Sequence, residues 1–400
     1  MSDPLSWTRQ EFPLLTRRID GRPITYLDSA STSPKPRCVI EAVNHFYGEC
    51  TANVHRGVHA LADEATEAYE GARRSIASFL KASPAEIVFT RNTTEAVNLV
   101  ASGLGLGPED EVVLTPLEHH SNFLPWRLRA RTVLVGLSED GLPRYDEVSR
   151  VAGPRARLFA VAQVSNTAGV IAPIADWARA ARERGAALLV DASQSSSHLP
   201  IDVGKLGCDY LVLSGHKLLG PSGIGVLFAR RPLLDGLAVY QSGGGMVRYH
   251  GEDRVELQDG PQRLEAGTPN IEGAIGLGAA VEWLQTIGME AVRAHSQDLG
   301  RHLVEGLRLM PGARIVADSA PLEHRIGLAA FALDAPGLTA DGIARMLCDR
   351  YQILVSGGYH CAHILHHRLR LQGTLRVSTH LFNTHAEIDA LLAALRELTA

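Results

Sequence analysis

From about Glu86 the chain alternates short apolar runs with longer ones in which apolar residues recur every three or four positions, the periods of buried strands and amphipathic helices. Residues 86–90 (EIVFT), 111–115 (EVVLT), 131–137 (RTVLVGL), 157–166 (RLFAVAQVSN), 186–191 (AALLVD) and 209–217 (DYLVLSGHK) read as strands, with helices at 93–105 and 174–185 between them. This is α/β order, and it predicts a mostly parallel sheet covered by helices on both faces. The pattern changes after 273–288, which reads as a long helix. Beyond it 326–333 (IGLAAFAL), 353–358 (ILVSGG) and 374–379 (TLRVST) read as strands of a second sheet, with helices at 339–350 and 385–399 beside them. We expect a large domain over 23–282 and a smaller α+β domain over 283–400, with residues 1–22 packed on the latter.

Composition narrows the partners. The chain has 400 residues, 45% of them hydrophobic, and 39 Lys and Arg against 44 Asp and Glu, a formal net charge of −5. There is no polybasic field for nucleic acid or an anionic membrane, so a small molecule or another protein is the expected partner. The opening stretch MSDPLSWTRQEFP lacks a basic and an apolar targeting region, which leads us to expect a cytoplasmic protein. Five cysteines, Cys38, Cys50, Cys208, Cys348 and Cys361, are scattered singly, a pattern of reduced thiols rather than a disulfide framework.

Ligands of parallel sheets bind beyond the carboxyl ends of the strands. That places Thr90 to Thr94, Glu118 to His120, Asn166, Asp191 and Ser214 to Lys217 at the ligand edge. Lys217 alone would read as a solvated turn residue. Asp191, however, closes a strand that reads as buried, and a carboxylate at that depth needs a cationic or hydrogen-bonding partner. A pyridinium nitrogen is such a partner, and a lysine with an aspartate at the ring nitrogen is the layout of pyridoxal phosphate enzymes. Thr93 and Thr94 open a helix, where free N–H groups and the dipole favour a phosphate; a capping box serving the helix alone is the competing reading of NTTE. Ser214 and His216 add donors beside the lysine. His119 and His120 follow a strand, where an imidazole suits stacking on a cofactor ring and moving protons better than it suits a metal. The segment GLGLG (103–107) follows a helix and precedes a strand, the wrong context for a dinucleotide fingerprint, and reads as a turn. GGYHCAHILHH (357–367) sets one cysteine among four histidines, and by itself suits metal binding and nucleophilic chemistry equally.

The motifs YLDSAS, VHRGVH, RNTTEAVNLVA, EHHSNFLPW, VSN, VDASQ, SGHKLLGPSGIGVLF, EAGTPN, HCA and LRVSTHLFNTHAEID occur in that order. Together they make the chain resemble the group II (SUF-type) cysteine desulfurases of the class V aminotransferase family, of pyridoxal phosphate fold type I, from about residue 20 to the end. The resemblance implies a seven-stranded, mostly parallel sheet in the large domain, pyridoxal 5'-phosphate as cofactor, and a homodimer with sites at its interface. It implies Lys217 as the Schiff-base lysine, Asp191 at the pyridine nitrogen, Gln194 near the ring hydroxyl and His119 stacked on the ring. Thr93, Thr94, Ser214 and His216 would hold the phosphate, with Thr268 reaching over from a second subunit. Arg376 would grip the substrate carboxylate, helped by Asn166 and His55. Cys361 falls on the catalytic cysteine, fifteen residues before Arg376. In the implied reaction Lys217 removes the α-proton of L-cysteine and the Cys361 thiolate attacks its sulfur, leaving alanine and a persulfide for a sulfur-acceptor protein, as in iron–sulfur cluster assembly. No metal is expected. His360 and His363 are available to favour the thiolate or to protonate intermediates, and His366 and His367 read as a solvated loop end.

The chain departs from the family's R-x-G-H-H-C run: Ser356 replaces an arginine, Tyr359 a histidine, and Ile364 stands where proline is common. The alternatives kept open are a selenocysteine lyase acting on L-selenocysteine, a fold-type-I enzyme recruited to a non-sulfur reaction (epimerase or cyclase), and a non-catalytic sulfur carrier.

Overall fold

The computed structural model describes residues 4–399. Seven strands form the central sheet: β1 (Ile87–Thr90), β2 (Glu111–Leu114), β3 (Arg131–Leu134), β4 (Ala156–Ala162), β5 (Ala187–Asp191), β6 (Tyr210–Ser214) and β7 (Gly225–Ala229). Their spatial order is β1-β7-β6-β5-β4-β2-β3. β7 runs antiparallel to both β1 and β6, while the remaining pairs are parallel. The inner strands are buried along almost their whole length and apolar through their centres, because helices cover both faces and leave no solvated side to alternate with. Two apolar clusters flank the sheet: Trp177, Phe159 and Leu284 lie in one, Trp126, Val97 and Tyr210 in the other.

A separate three-stranded antiparallel sheet follows, built from β8 (Ala313–Ile315), β9 (Leu328–Leu333) and β10 (Leu375–Ser378). Here the structure differs from the sequence pattern. Residues 353–358 do not form a strand of this sheet; Ile353–Leu354 pairs in parallel with Thr25–Tyr26, and only Ser356 makes a bridge, to Arg376. A two-residue strand carries no alternation to reveal its partner. The helices Arg37–Glu49, Ala60–Leu80 and Met289–Arg308 are further elements of the fold. Of the N-terminal segment, residues 1–3 lie outside the described residues; Phe12 packs on both Trp283 and Phe382, and Arg9 pairs with Glu387. Among the described residues no helix is long and apolar enough to cross a membrane.

A buried histidine cluster lies between the two sheets. His198 Nδ1 meets Ser296 Oγ at 3.0 Å, and its ring sits 5.0 Å from that of His380, which stacks on Phe382. Burial, then His295, lowers the pKa of His198 to about 4, and burial, then His198, holds His380 well below its ordinary value. Both rings are therefore neutral in the folded protein, whereas an unfolded chain takes up protons below about pH 6.5. Stability is accordingly full above that pH and is lost as pH falls toward about 4. His198 alone should cost about 2 kcal/mol of stability between pH 7 and pH 5. Urea unfolding at the two pH values checks this, and an unchanged midpoint would contradict it.

Candidate active site

The carboxyl ends of β4, β5 and β6 open into a cavity of about 470 Å³. Thr93, Thr94, His119, Asn166, Asp191, Gln194, Ser214, His216 and Lys217 line it from the large sheet, and Cys361 and Arg376 from the other side. Of the residues assigned to cofactor, substrate carboxylate or nucleophile, His55 and Thr268 stand elsewhere. They share a second cavity of about 410 Å³ with Arg56 and Gln258.

Lys217 sits on the turn Gly215–Lys217 that leaves β6. Burial, only partly opposed by Asp191, lowers its pKa to about 8, so a usable fraction of the amine is unprotonated near neutrality. The turn is clamped from the N-terminal segment. The His216 carbonyl accepts from Ser33 N at 3.0 Å and from Lys35 Nζ at 2.9 Å. Sequence reasoning missed Lys35, because nothing local links it to a residue 181 positions away.

Asp191 is buried at the end of β5, where its Oδ1 accepts from Ser193 N at 2.8 Å. Burial raises its pKa, so a cationic ring nitrogen is the partner that would hold it ionised. Around the start of the helix Thr93–Gly103 the hydroxyls link to one another. Thr93 N donates to Ser214 Oγ at 2.9 Å, Thr93 Oγ1 lies 2.7 Å from Ser193 Oγ, and Thr94 Oγ1 lies 2.6 Å from Ser121 Oγ. Capping itself falls to Asn92, whose side chain accepts from Glu95 N, and Thr93 and Thr94 line the cavity. Gly225 permits this turn: a Cβ there would stand 2.6 Å from the Asn92 Cα. A helix N-terminus ringed by hydroxyl donors fits a phosphate, and with Lys217 and Asp191 the set fits pyridoxal phosphate.

His119 accepts from Ser121 N through Nδ1, which leaves the proton on Nε2. Burial, then Lys217, lowers its pKa to about 3, so the ring is neutral. Its turn is fixed by Glu118, another residue whose role was not legible. Glu118 accepts from Thr115 Oγ1, Asn122 Nδ2 and Ala162 N at 2.7, 2.7 and 2.9 Å, and burial raises its pKa to about 8.

Arg376 is buried on β10 and crosses to the large sheet. Nη1 donates to the Asn166 carbonyl at 3.2 Å and Nη2 to Ser31 Oγ at 2.6 Å, while Asp28 Oδ1 stands 3.4 Å away. Nε has no partner among the described residues, and a buried orphan donor on a guanidinium facing the cavity suits an incoming carboxylate. Ser356, the departure from the family run, donates to Asp28 Oδ1 at 2.6 Å. A hydroxyl thus steadies the carboxylate beside Arg376.

Cys361 is exposed at the rim, where its carbonyl accepts from His120 N at 3.0 Å. His360 donates through Nε2 to the Thr374 carbonyl at 2.9 Å, and burial, then Arg376, lowers its pKa to about 3. His366 is not part of a solvated loop end: it is buried within the helix His363–Arg368, Nδ1 donating to the Ala362 carbonyl and Nε2 bonded to Thr374 Oγ1. His367 is exposed. Among the described residues no three His, Cys, Asp or Glu side chains gather as a metal site.

The family model of the class V aminotransferases matches residues 25–391. A probable cysteine desulfurase of Pseudomonas aeruginosa is 42% identical, over 99% of this chain and 98% of its own length. A cysteine desulfurase of Synechococcus elongatus is 41% identical over 98% of this chain, which spans only 63% of that longer relative. Among solved structures, the apo cysteine desulfurase of Thermococcus onnurineus superposes with a TM-score of 0.92 at 36% identity, covering 100% of this chain and 98% of that one. The Escherichia coli cysteine desulfurase solved as the S-sulfonic acid gives 0.88 at 36% identity, covering 98% of each. By both its sequence and its fold, this chain belongs to the class V aminotransferase family, alongside the cysteine desulfurases.

Proposed function

We propose that this chain is a pyridoxal phosphate-dependent cysteine desulfurase that converts L-cysteine to L-alanine and keeps the sulfur as a persulfide on Cys361. The observation that carries the reading is one cavity that joins a buried lysine and aspartate at a sheet edge to an arginine and an exposed cysteine from the opposite side. The bound cofactor would supply an electron sink that makes the carbon–sulfur bond labile. Thr93, Thr94, Ser214 and His216 would hold its phosphate, Asp191 would keep its ring nitrogen charged, and Gln194 would serve its ring hydroxyl. Arg376 binds the substrate carboxylate with Asn166 behind it. Lys217, with its lowered pKa, takes the α-proton and returns one to carbon. Neutral His119 would contact the ring and can offer its Nε2–H as a hydrogen-bond donor to the substrate. The Cys361 thiolate forms the new sulfur–sulfur bond as the carbon–sulfur bond breaks, and the enzyme gains one sulfur atom per alanine.

The exposure of Cys361 supports onward transfer to an acceptor protein. The placement of His55 and Thr268 away from Lys217 of their own chain, next to a fully exposed Val58, supports a homodimer in which they complete the partner's site.

Incubating the holoprotein with L-cysteine tests the reading. Alanine should appear with one added sulfur on Cys361, read by mass. A change in cofactor absorbance without alanine or added sulfur would show that the site binds amino acids but performs other chemistry.

A further inference from the structure

The four imidazoles of residues 357–367 are not equivalent. His360 and His366 each donate to a backbone carbonyl and are held as fixed tautomers. His367 is exposed. His363 instead meets another imidazole: its Nδ1 lies 3.1 Å from Nε2 of His120, with the rings 4.8 Å apart and 28° from parallel. Tyr359 also stacks on His363, at 4.6 Å and 12°. The backbone N–H of His120 in turn holds the Cys361 carbonyl at 3.0 Å. These two links close a ring around the cysteine, from its carbonyl through His120 to His363 and back along the chain.

The ring holds a strained segment. His360 and Cys361 have φ of 48° and 56°, left-handed values that non-glycine residues keep only where neighbours enforce them. The imidazole pair is one such enforcement, and it depends on protons. An N–H···N bond needs one donor and one acceptor, so a neutral pair, or a pair with one extra proton, keeps it. A doubly protonated pair has no acceptor and repels. The titratable groups facing the pair are the Tyr359 phenol, His366 farther along the helix and His119 beside His120. None of these is a carboxylate that would favour a second proton.

We infer that His120 and His363 form a proton-dependent clasp on the loop that presents Cys361, with His363 acting as a positioning residue for sulfur transfer to that cysteine. The inference rests on the reading of Cys361 as the sulfur-accepting nucleophile. Its test compares wild type, His363→Ala and His363→Gln as holoproteins between pH 5 and 9, since a glutamine amide can bond His120 yet does not titrate. Two rates are read: single-turnover sulfur transfer from cysteine to Cys361, and alkylation of Cys361 by iodoacetamide, which requires no turnover.

His363→Ala should slow sulfur transfer about tenfold at neutral pH, with cofactor absorbance and melting temperature unchanged. His363→Gln should restore the neutral rate to within about twofold, and its rate relative to wild type should rise toward the acid end of the range, since both proteins lose the Lys217 base alike. An alanine variant that transfers sulfur like wild type, or a glutamine variant whose rate relative to wild type does not rise toward the acid end, would overturn the clasp. Where the alanine variant does not fold, the acid limb of His363→Gln decides alone. Wild type that places no sulfur on Cys361 defeats the nucleophile reading instead. The alkylation profiles then still report on the clasp, which identical profiles in wild type and His363→Gln would overturn.

Discussion

A Lys217→Ala variant will produce alanine from cysteine at least about 10³-fold more slowly than wild type, while retaining its fold. The expectation follows from where the amine sits. Lys217 lies beyond β6 in a buried pocket, and its pKa of about 8 reflects the cost of keeping a charge out of water, relieved in part by Asp191. A general base works best with a pKa near the working pH, and an ammonium at its ordinary value would be neutral far too rarely. Lys217→Arg sharpens the test, because it keeps a cation facing Asp191 but cannot release a proton. Both variants should fail in turnover, and only the arginine variant should leave the electrostatics of Asp191 intact. The measurement is alanine production at saturating cysteine, with circular dichroism as a check on fold. Activity within tenfold of wild type in either variant would remove Lys217 from its role as base.

The features that sequence made legible are those set by neighbours along the chain. Asp191 and Ser214 end apolar runs, and such runs in α/β order point their last residues to one edge, so the place of these two at the cavity could be read from periodicity. The same holds for Thr93 at a helix start. What escaped was set by closure over long separations. Lys35, Ser31 and Asp28 join the site only when the N-terminal segment lies against residues 181 to 348 positions away. Glu118 was noticed as a strand-end residue, but its work is to tie Thr115, Asn122 and Ala162 together below the cavity. His366 looked solvated because its stretch is polar, whereas both ring nitrogens are satisfied inside the fold. Resemblance supplied the roles of Cys361 and Arg376, which no periodicity marks.

Cys361→Ser should abolish sulfur accumulation on the protein and lower alanine production by about 10²-fold or more, while leaving the cofactor's spectral response to cysteine intact. The substitution is nearly isosteric, so the strained backbone at this residue and the His120 hydrogen bond to its carbonyl, neither of which involves the side chain, are kept. Only nucleophilicity is lost, since a serine hydroxyl is essentially never ionised near neutrality. The remaining thiols cannot substitute. Cys208 is buried, with its pKa raised to about 12 by burial, and Cys50 is buried beside Glu64 and Glu49, with its pKa raised as well. Cys38 and Cys348 are half-buried, and Cys361 alone of the five is exposed. Limited iodoacetamide should therefore label Cys361 first in the native protein, and the labelled enzyme should match the serine variant in every assay. Alanine formed at the wild-type rate by Cys361→Ser would mean that the carbon–sulfur bond breaks without a protein nucleophile. The same scaffold would then be releasing sulfur directly to solution, as a lyase does, and the exposed cysteine would serve only afterwards, if at all.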